Sequence, residues 1–205
     1  MASVEQGPVS NRLVERVKNI LFTPIAEWDV IEAEPATVQG LYKGYICILA
    51  ALPAVAQLIA SVVFPHYSLG GGVSVIGALV TAIMTYVLTL VGVYVTARII
   101  DALAPNFGGQ SNLIQALKVA AYSSTAAWVV GVFAIAPPVS GLRIIGIYSL
   151  YLLYLGLPKL MKAPEDKALV YTIVTIVVVV VVYAVVAAIA AMSVALAGLG
   201  AIPAF

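Results

Sequence analysis

The sequence predicts an all-α polytopic membrane protein, with five transmembrane helices in one bundle and short amphipathic helices before them. Five nearly uncharged stretches are each close to or above the length that a helix needs to cross about 30 Å of hydrocarbon. They are residues 45–64, 73–97, 113–136, 139–157 and 168–199. The composition agrees, because 63% of the residues are hydrophobic and 9% are charged, against about 25% charged in a soluble domain. A soluble enzyme is therefore excluded.

The N-terminal segment, residues 1–43, precedes the predicted transmembrane domain of residues 44–200 and an external tail of residues 201–205. In residues 11–22, Leu13, Val17 and Ile20 repeat at helical spacing opposite charged side chains, which predicts an amphipathic helix. Such a helix either lies on the inner leaflet near anionic headgroups or packs on the ends of the spans. The sequence leaves both open.

A second helix is expected from Thr23-Pro24, since proline is favoured at the first helical position. Acidic residues and a tryptophan follow, and with one acid after the second span they form a candidate surface for a protein partner or a cation. Its residues are Glu27, Trp28, Asp29, Glu32, Glu34 and Asp101. A hard cation needs several converging oxygen ligands, whereas four acids on one helix do not all face one way. The alternative is a solvated acidic surface near a helix N-terminus.

The basic residues fall on alternate sides of the five stretches. Nine of the ten lysines and arginines come to lie on one side, and Arg143 alone lies on the other. By the positive-inside rule, this predicts a plasma (inner) membrane protein with a cytoplasmic N-terminus and an external C-terminus.

Inside the spans the polar groups are hydroxyls and amides rather than Asp, Glu or His. Thr81, Thr85 and Thr89 are spaced by four and form one stripe on the second span. Such groups most often hydrogen-bond between helices. The alternative is that they line a transport path, for which the candidates are Thr85, Tyr122, Ser124, Tyr148 and Tyr151.

Several classes of function lack a sequence signal. The net charge of +1 gives no indication of nucleic-acid binding. Cys47 is the only cysteine and lies in an apolar run, so it predicts neither an intrachain disulfide nor a metal site. The glycine pair at 108–109 is followed by Gln110-Ser111 instead of the Lys-Ser/Thr of a phosphate-binding loop. No catalytic, cofactor-binding or metal-binding residue is predicted, and the protein is not expected to be an enzyme.

Three passages resemble the bacterial branch of the Yip-one domain family. They read ILFTPIAEWDVIEAE (20–34), FGGQSNLIQALKVAAYSSTAAWVVGVF (107–133) and IYSLYLLYLGLPKLMKAPEDKALVYT (147–172). The resemblance covers most of residues 20–185. It implies five spans, a cytoplasmic N-terminus and no established catalytic chemistry. Eukaryotic members bind small GTPases and shape membranes, but their cytosolic Asp-Leu-Tyr-Gly-Pro type motif is absent here. A second departure is Ala126, where the family often has proline, which leaves a kink in the third span open.

Two functions remain as hypotheses. The first is a non-enzymatic membrane protein that recruits a partner or organises the membrane from its cytoplasmic face. The second is a small transporter, channel or lipid-moving protein with hydroxyl-lined helices. The candidate partners are membrane lipids, a protein at the cytoplasmic face and a second copy of the chain, since small residues on the last span suit close packing.

Overall fold

Five helical segments in the described part of the chain are long and apolar enough to cross a membrane, which confirms the predicted fold class. The computed structural model describes residues 9–64 and 74–199. The predicted tail of residues 201–205 lies outside them. The five spans are Val38–Val63, Val75–Phe107, Leu113–Ile135, Pro138–Met161 and Glu165–Ile189.

Nine α-helices are assigned within the described ranges. They are α1 (Val9–Phe22), α2 (Pro24–Ala33), α3 (Val38–Leu41), α4 (Cys47–Val63), α5 (Val75–Leu103), α6 (Leu113–Ser123), α7 (Thr125–Val130), α8 (Tyr148–Met161) and α9 (Glu165–Leu199). A π-helical turn, Tyr42–Ile46, joins α3 to α4. Three 3₁₀ segments, Ala104–Phe107, Gly131–Ile135 and Pro137–Ile147, complete the second, third and fourth spans.

The first and second spans extend further than their apolar stretches. Helical structure in the first span begins at Val38, before the predicted domain boundary at 43/44. The hydroxyl of Thr37 caps this start by accepting a hydrogen bond from the Gly40 amide at 3.0 Å. Hydropathy marks only the part of a helix that lies in hydrocarbon, whereas backbone hydrogen bonding continues to the cap.

The third span is interrupted near its middle, where α6 ends at Ser123 and α7 begins at Thr125. Ser123 Oγ donates to the Val119 carbonyl at 2.6 Å, and Ser124 Oγ donates to the Ala120 carbonyl at 2.8 Å. Serine and threonine hydroxyls that bond to carbonyls of the preceding turn bend helices. The interruption therefore forms without a proline.

The third span lies at the centre of the bundle and the fifth at its edge. In the most apolar windows, 56% of residues are buried in the third span and 11% in the fifth. Tyrosine hydroxyls link neighbouring spans: Tyr171 donates to the Ile100 carbonyl at 2.6 Å, and Tyr86 donates to the Cys47 carbonyl at 3.0 Å. The apolar run of the fifth span is thus left to face lipid.

Candidate functional site

α1 and α2 form a helical hairpin, here called the N-terminal hairpin (residues 9–33), whose elbow reaches into the bundle. The N-terminal face is the end of the bundle where the first span begins and the fourth ends. The Tyr148 hydroxyl donates to the Leu21 carbonyl at 3.1 Å, and α1 packs against α7 in the second half of the third span. Tyr148 begins the 14-residue helix α8, which ends at the N-terminal face, so the elbow lies about 20 Å below that end. The elbow therefore lies beside the middle of the third and fourth spans rather than at their ends.

The first helix thus reaches deeper than either position expected from the sequence. Its Ile20 is fully buried, while Val14 is exposed. One of the two expectations was that this helix packs on the ends of the spans. α1 does pack on the spans, but it lies along their sides rather than across their ends. The hairpin begins and ends towards the N-terminal face, and its elbow points away from that face.

The elbow suits an apolar surrounding. The Thr23 amide donates to the Asn19 carbonyl at 2.7 Å, and the Thr23 carbonyl accepts from the Glu27 amide at 3.1 Å. Pro24 has no backbone N–H to satisfy. Unpaired backbone groups are costly in hydrocarbon, so these features favour a turn at this depth. On either side of the turn, Phe22 is 78% and Ile25 is 64% exposed.

Trp28 fixes α2 to the fourth span. The sequence placed this residue on a candidate partner surface, whereas the structure places it in the core with no exposed surface. Its ring lies over Gly156, where a Cβ atom would come within 2.4 Å of Cζ2. Tyr122 meets the same ring edge-on at 6.3 Å. The close approach of the Trp28 ring to the fourth span therefore requires glycine at position 156.

Arg16 ties the two helices of the hairpin together. Its guanidinium pairs with the carboxylate of Glu27 at 2.5 Å and also with that of Glu34. It lies 5.8 Å from the centre of the Tyr122 ring, within the range of a cation–π contact. Glu27 is buried, so its charge is neutralised where water is scarce.

Lys118 caps the end of α2, a role that sequence reasoning missed. Its ammonium donates to the carbonyls of Ile31 at 2.7 Å and Glu34 at 2.6 Å. The last carbonyls of a helix have no partner within it, and Lys118 supplies one from the third span. The one available signal was a lysine in the first turns of an apolar span.

The remaining predicted acids are also occupied within the chain. Asp29 pairs with Lys159, and Glu32 pairs with Lys162. Asp101 accepts a hydrogen bond from the Ser111 hydroxyl at 2.7 Å. Within residues 9–64 and 74–199, no group of three or more His, Cys, Asp or Glu is arranged to hold a metal ion. Asp29 and Glu32 hold the hairpin against the fourth span, and the role of the acids towards an external partner stays a prediction.

A cavity of about 700 Å³ opens beside the hairpin at the N-terminal face. Its charged lining residues are Arg12, Glu15, Arg16, Glu27, Glu34 and Lys118. Acids and bases are equal in number, so the cavity has no net charge with which to select an ion.

A second cavity, the lateral cavity, has a volume of about 750 Å³ and lies in the opposite half of the bundle. Thr85 lines it together with Thr81 and Thr89, so the predicted stripe is on one wall. The other transport-lining candidates lie elsewhere. Tyr122 packs against Trp28, while Ser124, at the break in the third span, lines a separate cavity of about 100 Å³.

The two remaining candidates are on the fourth span. Tyr148 bonds to the hairpin, and the ring of Tyr151 stands 5.4 Å from that of Tyr148 with 43% of the residue exposed. The structure thus brings only the threonine stripe to the lateral cavity, and the transport role stays a prediction.

The fold and the docked hairpin define a class of protein: a five-span α-helical membrane protein with an N-terminal helical hairpin packed against its spans. The chain belongs to the Yip1 domain family, whose model matches residues 18–189. It is similar to the inner membrane protein YohC of two Escherichia coli strains, K12 and O6:H1. Each is 28% identical over 157 residues, which cover 73% of this chain and 80% of YohC. No solved structure matches the chain.

Proposed function

We propose that this protein is a non-enzymatic protein of the inner membrane that organises the surrounding bilayer by inserting its N-terminal hairpin into one leaflet. Its N-terminal face points to the cytoplasm and its C-terminus outside. Nine of the ten lysines and arginines at this face support that orientation. The inner-membrane location is supported by the printed name of the Escherichia coli relatives.

The observation that carries the proposal is the exposed apolar elbow. Phe22 and Ile25 are exposed on either side of the elbow of the hairpin. The elbow lies beside Tyr148 of the fourth span. Five spans occupy both leaflets, whereas α1 and α2 occupy only one. Added cross-section in a single leaflet displaces lipid unevenly and favours curvature or local thinning.

Exposed cations on α1 support the same function. Arg12 and Lys18 are exposed beside Glu15, which is also exposed, and their positive groups can contact anionic headgroups. The aliphatic stem of Lys18 can lie along apolar surface while its ammonium reaches towards the interface. The hairpin therefore has an apolar elbow for acyl chains and two exposed cations for phosphates.

The test is reconstitution into vesicles that contain anionic lipid. We expect the wild-type protein to reduce the vesicle diameters that are measured by electron cryomicroscopy. The double variant Phe22→Ser/Ile25→Ser is expected to lose this effect. A matched control is Val14→Ser/Val30→Ser, because both valines are exposed on the same hairpin, at 66% and 52%, but lie away from the elbow.

Equal vesicle diameters for the elbow variant and the valine control would contradict the proposal. Both proteins must first show the same helical content and thermal unfolding midpoint in detergent. This requirement separates loss of function from loss of fold.

A second candidate function, movement of a lipid or small solute, is favoured by the lateral cavity with Thr85 in its wall. Flux in proteoliposomes that falls for Thr85→Val would support it. Partner recruitment at the N-terminal face is also open to test. The Asp29 and Glu34 side chains remain 62% and 50% exposed within their ion pairs, so crosslinking that disappears in Asp29→Asn would support that function.

A further inference from the structure

The lateral cavity is a cleft between spans rather than a sealed void. All five spans contribute to its lining in the half of the bundle away from the hairpin, and its residues Gln57, Ala127 and Arg143 are exposed. Its volume of about 750 Å³ is within the usual size of small-molecule sites, roughly 300–1,000 Å³.

Small apolar residues make the room for this cleft. Ala54, Ala78 and Ala82 are buried in its wall, and Trp128 lines it from α7. Large side chains at the alanine positions would close the space. The wall therefore offers an apolar slot that is wide enough for a flexible chain.

Three hydroxyl groups on the wall already donate hydrogen bonds within the protein, so an occupant does not have to accept them. Ser61 donates its proton to the Gln57 carbonyl at 2.8 Å, Thr81 to the Gly77 carbonyl at 2.9 Å, and Thr89 to the Thr85 carbonyl at 2.8 Å. Each proton is already used within its own helix. An acyl chain can lie against these three groups without leaving a donor unpaired, whereas the Thr85 hydroxyl makes no such bond among the described residues and remains able to donate to a lipid ester oxygen.

Arg143 supplies a charge at the mouth of the cleft. It is exposed, and it is the one basic residue away from the N-terminal face. Eight of the nine acids lie in the described ranges, all towards the N-terminal face, and none is ion-paired with Arg143 there. A cation at the membrane interface that has no ion-pair partner among the described residues is suited to a phosphate.

We propose that the lateral cavity binds one anionic phospholipid from the leaflet opposite the hairpin, with its phosphate on Arg143 and an acyl chain between the alanines and Thr85. The site is independent of the hairpin and goes beyond the proposed function.

The experiment is native mass spectrometry of the full chain in detergent, with phosphatidylglycerol or phosphatidylethanolamine added. We expect one phosphatidylglycerol to bind in preference to phosphatidylethanolamine. Arg143→Gln is expected to weaken binding about tenfold, the factor for loss of one charge-assisted contact. Thr85→Phe, which fills the cleft, is expected to weaken it comparably, and Arg143→Lys is expected to retain part of the affinity.

Two variants serve as matched controls. Arg98→Gln removes the same charge from an exposed position at the N-terminal face, and Met84→Phe places the same phenyl ring next to Thr85 but outside the cleft. Both should bind lipid like the wild type. Variants are compared only where thermal unfolding in detergent shows that they are folded.

Three results would overturn the proposal. The first is equal lipid binding by Arg143→Gln and Arg98→Gln. The second is unchanged binding by Thr85→Phe, which would reduce the site to a headgroup contact at the surface. The third is competition by water-soluble glycerol phosphate, which would mean that the acyl chain contributes nothing.

Discussion

The two halves of the bundle are built in opposite ways. Near the N-terminal face, large side chains such as Trp28 are fully buried and the charges of the hairpin are paired. In the other half, alanines and glycines leave the lateral cavity, and Arg143 has no ion pair among the described residues. One half joins its helices by side-chain contacts, while the other leaves room for lipid.

This difference teaches where a membrane protein needs specific contacts. Apolar spans gain little from packing against one another because lipid tails are equally apolar. The hairpin is an addition to the five spans and must be held by something else. Trp28, Arg16 and Lys118 hold it with a buried ring, ion pairs and hydrogen bonds to backbone. We therefore expect substitutions to be costly near the hairpin and mild near the cavity.

The largest effect is expected from Trp28→Ala. Removing a buried tryptophan costs about 3–5 kcal/mol, and here it also frees α2 from the fourth span. Trp128→Ala is the matched change in the other half, and it should lie towards the lower end of that range because Trp128 already borders a cavity. The measurement is the free energy of unfolding in mixed micelles, followed by circular dichroism. Equal losses for the two tryptophans would break the comparison.

Gly156→Ala sharpens the same prediction, because its new methyl group would overlap the Trp28 ring. Overpacking costs about 1–3 kcal/mol. In a Trp28→Ala background the overlap is gone, so the double variant should be clearly more stable than the sum of the two single losses predicts. Strict additivity would argue that the two residues do not meet.

Lys118→Met is expected to cost about 1.5–3 kcal/mol, since it removes charged hydrogen bonds and leaves the carbonyls of Ile31 and Glu34 without this partner. Lys43→Met, an exposed lysine of the first span, is the control and should change little. Protease cleavage in the hairpin provides a second readout and should accelerate only for Lys118→Met.

Glu32→Gln is expected to cost about 0.2–1 kcal/mol, because its ion pair with Lys162 is partly exposed. The loss should shrink in about 1 M salt, where exposed charges are screened. A loss that does not respond to salt would show that Glu32 acts by packing rather than by charge.

The smallest effect is expected from removing hydroxyls near the lateral cavity. Thr89 bonds within its own helix, and that bond persists when the helices separate, so Thr89→Val should cost less than about 0.6 kcal/mol. Tyr171→Phe is the comparison, because Tyr171 joins the fifth span to Ile100 on the second, and it should cost about 1 kcal/mol. Reversal of this order would contradict the contrast between the halves.

The sequence was sufficient for the spans and insufficient for the hairpin contacts. Hydrophobic length and charge alternation can be read along the chain, so they predict five spans. The preference for proline at the first helical position is equally local and predicts the helix start at Pro24. The burial of Trp28 depends on Gly156, which is far away in the chain, and no local pattern encodes that pairing. The sequence left a break in the third span undecided, because proline was the expected signal. The break at Ser124 is instead produced by hydroxyl hydrogen bonds to the preceding turn.

The hairpin is synthesised before the five spans, yet its partners in the fourth span come late. Lys162, which pairs with Glu32, is 130 residues further along the chain. At about 5–20 residues per second, that separation is on the order of ten seconds of translation. During this interval α2 lacks the pocket at Gly156 for the Trp28 ring and the lysines of the fourth span that pair with its acids. Its docking site is therefore complete only when the fourth span has been synthesised. The order of biosynthesis thus makes docking of the hairpin one of the last steps of assembly.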